Sequence, residues 1–332
     1  MSYVENDPVL EVEDLVVHYE TSDGVVEAVN GVSFTVDKRD AIGLVGETGA
    51  GKTTIALSIL GLLPVPPSHI IRGDIRFKGA SLLKKKPFEM QSIRGGKIGM
   101  IFQDPMTALN PVLQIGPQIS EVIEIHEKCG KEASAEKAKR MLETVGISRE
   151  RYFDYPHQLS GGMKQRVIIA IALACNPEVL IADEPTTALD VTIQAQILDM
   201  IRTLRDQNDT SLILITHDFG IVADICNKCA VIYAGEIVEY GTVEALFDRP
   251  KHPYTQGLFA SIPNIQNRVR RLQPIKGQVA DPSNLPPYCS FYDRCSCRSE
   301  TCREAAPALI EIEPDHFVRC CQCGKEDGNA AP

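Results

Sequence analysis

Between Val9 and Val17 (VLEVEDLVV) apolar and polar residues alternate, and the alternation returns at Val32–Val36 (VSFTV), so the chain opens on strands with one buried face. Ala41–Val45 (AIGLV) is a continuous apolar run that stops at a glycine-rich turn, and from Gly51 a helical pattern passes through Ile55, Leu57, Ile59 and Leu60 to Leu63. The prediction is strand, loop, helix. Two later apolar runs, Val179–Ala182 and Leu212–Thr216, end on Asp183-Glu184 and on His217-Asp218. Runs of this kind suit parallel strands buried on both faces, and an open α/β sheet gathers its chemistry at the carboxyl ends of such strands.

Between Pro105 and Cys175 strand signals thin out and helical periods dominate, as at Ala133–Val145, which predicts an inserted helical subdomain over about 105–175. From Pro250 onward proline and glycine multiply (HPYTQG, SIPN, DPSNLPPY) and no long periodic segment follows. The expected organisation is therefore an α/β domain over 1–255 and a small irregular module over 256–332.

The 332 residues allow about two domains at roughly 150 residues each. With 44% apolar and 23% charged residues the chain should fold as an ordinary globular protein. Asp and Glu number 44 against 34 Lys and Arg, a net charge of −10, which argues against nucleic acid as the main partner. No stretch approaches the roughly 18 consecutive apolar residues of a membrane span, and the acidic start MSYVENDP carries no secretory pattern, so a cytosolic location is expected. Eleven cysteines are unexpected in a reducing compartment, and seven of them fall between Cys289 and Cys323, a cluster that suggests a metal.

Gly46-Glu47-Thr48-Gly49-Ala50-Gly51-Lys52-Thr53 fits G-x-x-x-x-G-K-[ST] and lies between a predicted strand and a predicted helix. Glycines let successive backbone N–H groups point at phosphate, the helix N-terminus adds partial positive charge, Lys52 reaches the β and γ phosphates, and Thr53 offers a hydroxyl to Mg²⁺. Val-Leu-Ile-Ala delivers Asp183 and Glu184 to a strand end, where alternation makes them diverge. Asp183 suits holding Mg²⁺ and Glu184 suits orienting and partly deprotonating a water, the two needs of phosphoryl transfer to water. His217, at the end of another such strand, is read as a γ-phosphate contact. Leu159-Ser160-Gly161-Gly162-Met163 heads a helical run and forms a second anion site with no phosphate assigned to it.

The order of P-loop, Gln103 in Ile-Phe-Gln-Asp, LSGGMKQR, VLIADEP, Thr-Ala-Leu-Asp190 and His217 resembles the nucleotide-binding subunits of ABC transporters over about Val9 to Pro263. The resemblance implies a P-loop NTPase fold with an antiparallel β subdomain and an inserted helical subdomain. It implies that Tyr19 stacks on adenine, that residues 46–54, including Thr54, hold the phosphates, and that Thr53, Gln103 and Asp183 surround Mg²⁺. Glu184 is then the general base, with His217 and Gln103 beside the reacting phosphate. Ser160, Gly161 and Gly162, with Gln165 and Asp190, would complete an ATP sandwich with a second, paralogous ATPase subunit. Two transmembrane permease subunits and an extracytoplasmic binding protein complete the implied assembly, with this chain peripheral on the cytoplasmic face of the membrane. Arg39 stands where a glycine usually precedes an acidic residue, and Thr48 and Ala50 replace the commoner serines of the P-loop; neither change removes a phosphate ligand.

Phe247-Asp-Arg-Pro-Lys-His-Pro-Tyr254 and the spacing Cys289-x5-Cys295-x6-Cys302-x17-Cys320 resemble the ATPase subunits of dipeptide/oligopeptide permeases, whose relatives include nickel importers. Some of these carry an iron–sulfur cluster in the C-terminal module. Four thiolates can hold a 4Fe–4S cluster or a zinc ion, or stay free, and spacing alone does not decide; the resemblance favours iron–sulfur, with the metal as a staple for a module of little core. Cys297, Cys321 and Cys323 are spare, and Cys226-x2-Cys229 is read as ordinary small residues. A nickel importer and a soluble, non-transport ABC ATPase are the alternatives to peptide import.

Overall fold

A computed structural model of the chain describes residues 8–187, 189–261 and 274–322; Pro263 and Cys323 lie outside the described residues. The alternating N-terminal residues form β1 (Leu10–Thr21) and β2 (Gly24–Val36), an antiparallel hairpin longer than the two alternating stretches. The first continuous apolar run is β3 (Ala41–Val45), which leads into α1 (Lys52–Leu60). α1 stops at Leu60, short of the expected Leu63, because Gly61 takes a left-handed conformation (φ 59°) and its N–H bonds back to the carbonyls of Leu57 and Ser58. β4 (Ser68–Phe77), β5 (Ala80–Ser81), α2 (Pro87–Ile93) and β6 (Ile98–Ile101) follow.

The expected helical insertion holds α3 (Pro105–Ala108), α4 (Ile115–Glu127), α5 (Lys131–Thr144) and α6 (Gly161–Leu173), and the chain returns to the sheet as β7 (Val179–Asp183). Then come α7 (Val191–Asn208), β8 (Ser211–Thr216), α8 (Phe219–Ile225), β9 (Lys228–Tyr233), β10 (Glu236–Thr242), α9 (Val243–Asp248) and α10 (Pro253–Ala260). A short hairpin, β11 (Ile310–Glu313) and β12 (His316–Val318), ends the described elements.

Among the described residues the strands form two sheets, one ordered β2-β1-β4-β5 and one ordered β11-β12-β10-β9-β3-β8-β7-β6. β9, β3, β8, β7 and β6 run parallel, and β3, β7 and β8 are buried along their whole length. Alternation divides their side chains between two cores. Ile42, Leu44, Ile181, Ile213 and Ile215 face α1 and the antiparallel sheet, whereas Ala41, Val45, Leu180, Ala182, Leu212 and Leu214 face the helical insertion and the helices after β7. Arg39 adopts a left-handed conformation (φ 67°), which accounts for the glycine usual at that place, and its guanidinium meets Asp209 at 2.7 Å.

The C-terminal residues join the main sheet. Position 255 lies within α10, and β12 pairs with β10 through Glu239↔Val318 and Tyr240↔Phe317. The joint is held by a carboxylate: Glu239, fully buried, accepts from the Lys251 N–H (2.8 Å), the His252 N–H (2.9 Å) and His316 Nε2 (2.8 Å). Glu239→Ala strands these three donors in the interior, and removal of one member of a buried pair costs about 3–5 kcal/mol. A lower denaturant midpoint with earlier proteolytic cleavage beyond residue 243 is the expected result, read by urea unfolding and limited proteolysis.

Candidate functional site

Strand adjacency assembles the site. In the order β3-β8-β7-β6 each strand ends level with its neighbour, with Val45 opposite Thr216, Asp183 opposite Ile215 and Ile101 opposite Ala182. The segments that leave those ends carry the P-loop, His217, Glu184 and Gln103 respectively, so four motifs from distant parts of the sequence meet at one edge.

The P-loop owes its path to two close approaches. A Cβ on Gly46 would lie 2.2 Å from the Ile232 carbonyl oxygen, and one on Gly51, at φ 97°, would lie 2.3 Å from the Ala28 carbonyl oxygen. Thr48 and Gly49 are exposed at the tip of the loop, and Ala50 is buried beneath it. No side chain caps the N-terminus of α1, so its first-turn N–H groups face the loop. Lys52 is buried and donates from Nζ to the carbonyls of Gly46 (2.8 Å) and Glu47 (2.9 Å). Burial pushes its ammonium below the usual lysine range, opposed by the nearby carboxylates of Glu184, Asp183 and Glu47. Tyr19 lies beside the start of α1, its hydroxyl 3.4 Å from Thr54 Oγ1.

Thr53 Oγ1 donates to Asp183 Oδ2 at 2.8 Å. The other oxygen, Asp183 Oδ1, is buried with no hydrogen-bond partner among the described residues. Burial raises the Asp183 carboxyl above its ordinary value, and the neighbouring Glu184 adds to the rise. A hydroxyl beside a buried, underbonded carboxylate is a donor set that suits a hard divalent cation.

Glu184 sits at φ 44°, a strained setting for a side chain of this size. Its carboxylate accepts from Gln103 Nε2 (3.1 Å) and Thr187 Oγ1 (2.9 Å) and meets His217 Nδ1 at 3.3 Å. Gln103 thus lies on Glu184, and Thr187 is a partner that the sequence did not single out. Glu184, Thr187, His217 and Gln194 line a cavity of about 280 Å³. Burial alone would raise the Glu184 carboxyl, but the Thr187 hydroxyl, His217 and Lys52 hold it below the usual range.

Ser160 caps α6, its hydroxyl accepting from the Met163 N–H at 3.4 Å, with Gly161 in the first turn. A Cβ on Gly162 would meet Ile193 Cγ2 at 2.8 Å. Asp190 caps α7 by accepting from the Ile193 N–H (2.9 Å), so both motif helices begin at the same contact. Gln165 is buried, and its Nε2 has no partner among the described residues.

Residues 29–187 match the ABC transporter family model, and residues 238–302 match that of the oligopeptide/dipeptide transporter C-terminal region. The oligopeptide transport ATP-binding protein OppD of Bacillus subtilis (strain 168) is 48% identical over 313 residues, covering 93% of this chain and 87% of that protein. The chain belongs to the ATP-binding subunits of the oligopeptide/dipeptide ABC transporters. The dipeptide transport ATP-binding protein DppD of Lactococcus lactis subsp. cremoris (strain MG1363) is 47% identical over 94% of this chain and 90% of its own length. Among solved structures, the dimeric post-hydrolysis state of the ATP-binding cassette MJ0796 bound to ADP and Pi matches with a TM-score of 0.64 at 23% identity, covering 70% of this chain and 98% of that one. That likeness supports the fold of the cassette.

The second family match takes in Cys289, Cys295, Cys297 and Cys302 and ends before Cys320. Cys289, Cys295, Cys297, Cys302, Cys320 and Cys321 line one cavity of about 200 Å³, yet no three metal-binding side chains among the described residues converge on a single ion position. Burial pushes the Cys289 thiol up to about 12 and raises Cys295, while hydrogen bonds from Ser299 leave Cys302 below its usual value. Cys226 and Cys229 are buried apart from this cavity, in keeping with their reading as packing residues.

Thr187→Val removes a hydrogen-bond donor from Glu184, so burial is then less opposed and the carboxyl rises. A carbon-detected NMR titration of the Glu184 carboxyl is expected to move its midpoint to higher pH in the variant.

Proposed function

We propose that this chain hydrolyses ATP to energise the uptake of dipeptides or oligopeptides through a membrane ABC transporter. The observation that carries the reading is the meeting of the P-loop, Asp183-Glu184, His217 and Gln103 at four neighbouring strand ends. The match at 238–302 and relatives named for oligopeptide and dipeptide transport favour peptides over nickel.

In this reading the backbone of residues 46–54 and Lys52 hold the phosphates, and Tyr19 stacks on the adenine. Thr53, Asp183 and Gln103 would hold Mg²⁺, which would supply charge neutralisation to the phosphates. Glu184 aligns the attacking water. Its depressed carboxyl is ionised at neutral pH, and it serves more as an orienting acceptor than as a strong proton sink. His217 shares Glu184 and would contact the γ-phosphate. Ser160, Gly161 and Gly162, supported by Gln165 and Asp190, bind the ATP of a second, paralogous ATPase. The pair docks on two permease subunits at the cytoplasmic face, fed by an extracytoplasmic binding protein. No helix among the described residues is long and apolar enough to cross a membrane.

Glu184→Gln keeps shape while removing the charge. ATP affinity is expected to persist and turnover to fall about 10²–10⁴-fold, read by equilibrium binding beside phosphate release; wild-type turnover in this variant rejects the assignment.

The same reading places a 4Fe–4S cluster in the cysteine cavity, on Cys289, Cys295, Cys302 and Cys320. A zinc ion needs four ligands within about 2.3 Å of one point. What supports a cluster over zinc here is that all four cysteines line one cavity of about 200 Å³ while no three metal-binding side chains among the described residues meet at a single ion position. Held by these four cysteines, a cluster would cross-link segments that have little core of their own. Cys302→Ser is expected to lower iron content and loosen the residues beyond about 260 while ATP binding persists, read by metal analysis and hydrogen exchange.

A further inference from the structure

Glu47, the second residue of the P-loop, is held from outside the loop. Its backbone N–H donates to the hydroxyl of Tyr254 (3.0 Å), a fully buried residue of α10, and its carboxylate receives two N–H bonds from Arg294 (2.6 and 2.9 Å). Its carbonyl accepts from Lys52. Every polar group of Glu47 is thereby engaged, and two of the three engagements come from the C-terminal region.

Arg294 is built into this position. Its side chain is 5% exposed, and its guanidinium lies 5.6 Å from the centroid of Tyr233 and 5.9 Å from that of Phe291. Its Nε also reaches the Lys276 carbonyl at 3.3 Å. The next residue, Cys295, lines the cysteine cavity. A fork of this geometry fixes a carboxylate in orientation as well as in place.

We propose that Arg294 is a positioning residue of the nucleotide site, through which the cysteine-rich C-terminal residues set the affinity of the P-loop for ATP. The inference rests on the P-loop reading above. A carboxylate in a phosphate-binding loop opposes the polyanion it must admit, and Arg294 neutralises it from behind. The fork fixes the Glu47 side chain while Lys52 and the Ala50 N–H hold its carbonyl, so the loop is shaped before phosphate arrives.

Binding of ATP to the purified full chain, followed by displacement of a fluorescent ATP analogue, tests this. Arg294→Met is expected to weaken ATP binding about 5–50-fold, the span of a typical coupling between sites. Adding Glu47→Gln to Arg294→Met removes the unpaired charge and is expected to restore most of the affinity, which loss of packing alone does not predict. Arg294→Lys keeps the charge without the fork, preserves the buried site if methionine is not accommodated there, and is expected to fall between wild type and Arg294→Met. Lys52→Ala is the reference. If it loses ATP binding while Arg294→Met and Arg294→Lys bind as wild type, or while the double variant stays as weak as Arg294→Met, the proposal falls and the P-loop reading stands. If Lys52→Ala binds as wild type, both fall.

Discussion

Parallel pairing of β3, β8, β7 and β6 is the constraint on which the other features depend. Hydrogen bonding fixes the strand ends level with one another, so the residue that follows each strand has little choice of location. Because the strands are buried on both faces, a slip of register would exchange the two cores, placing Ile213 and Ile215 where Leu212 and Leu214 now pack. The chemistry inherits its geometry from this packing. A loop attached to such an edge can be short and strained, as at Glu184, because the scaffold beneath it does not yield.

Two carboxylates that are adjacent in sequence receive opposite treatment at that edge. Asp183 ends the strand itself, buried, with one oxygen on Thr53 and the other without a partner among the described residues, so its charge is uncomfortable until a cation is near. Glu184 turns out of the strand toward Thr187, Gln103 and His217, whose polar atoms favour its ionised form. The difference follows from strand alternation followed by a left-handed residue, which aims consecutive side chains at different surroundings. One strand end thus holds a carboxyl raised by burial beside one lowered by its hydrogen-bond partners, without any large difference in residue type.

The C-terminal region is joined to the ATPase at two depths. Glu239 gathers donors from the turn before α10 and from β12, tying the edge hairpin to the segment that carries Tyr254. Tyr254 and Arg294 then reach the P-loop through an aromatic cluster with Tyr233 and Phe291. The Lys-His-Pro-Tyr segment therefore has a structural meaning: His252 Nδ1 accepts from the Tyr254 N–H, turning the chain into α10 so that the tyrosine points at Glu47.

The sequence by itself determined the strand–loop–helix of the P-loop, the helical insertion, and the placement of Asp183, Glu184 and His217 at strand ends. These are matters of apolar period, glycine and motif spacing, each read from the residues of its own segment. The tertiary structure alone decided that Thr187 and Gln103 converge on Glu184, that the residues beyond 255 extend the main sheet, and that Arg294 grips Glu47 across 247 positions of sequence. No local pattern distinguishes Arg294 from any other arginine. Its role comes from an ion pair between side chains brought together by separate elements, and the free energy of such a contact depends on burial and geometry that exist only once the chain has folded.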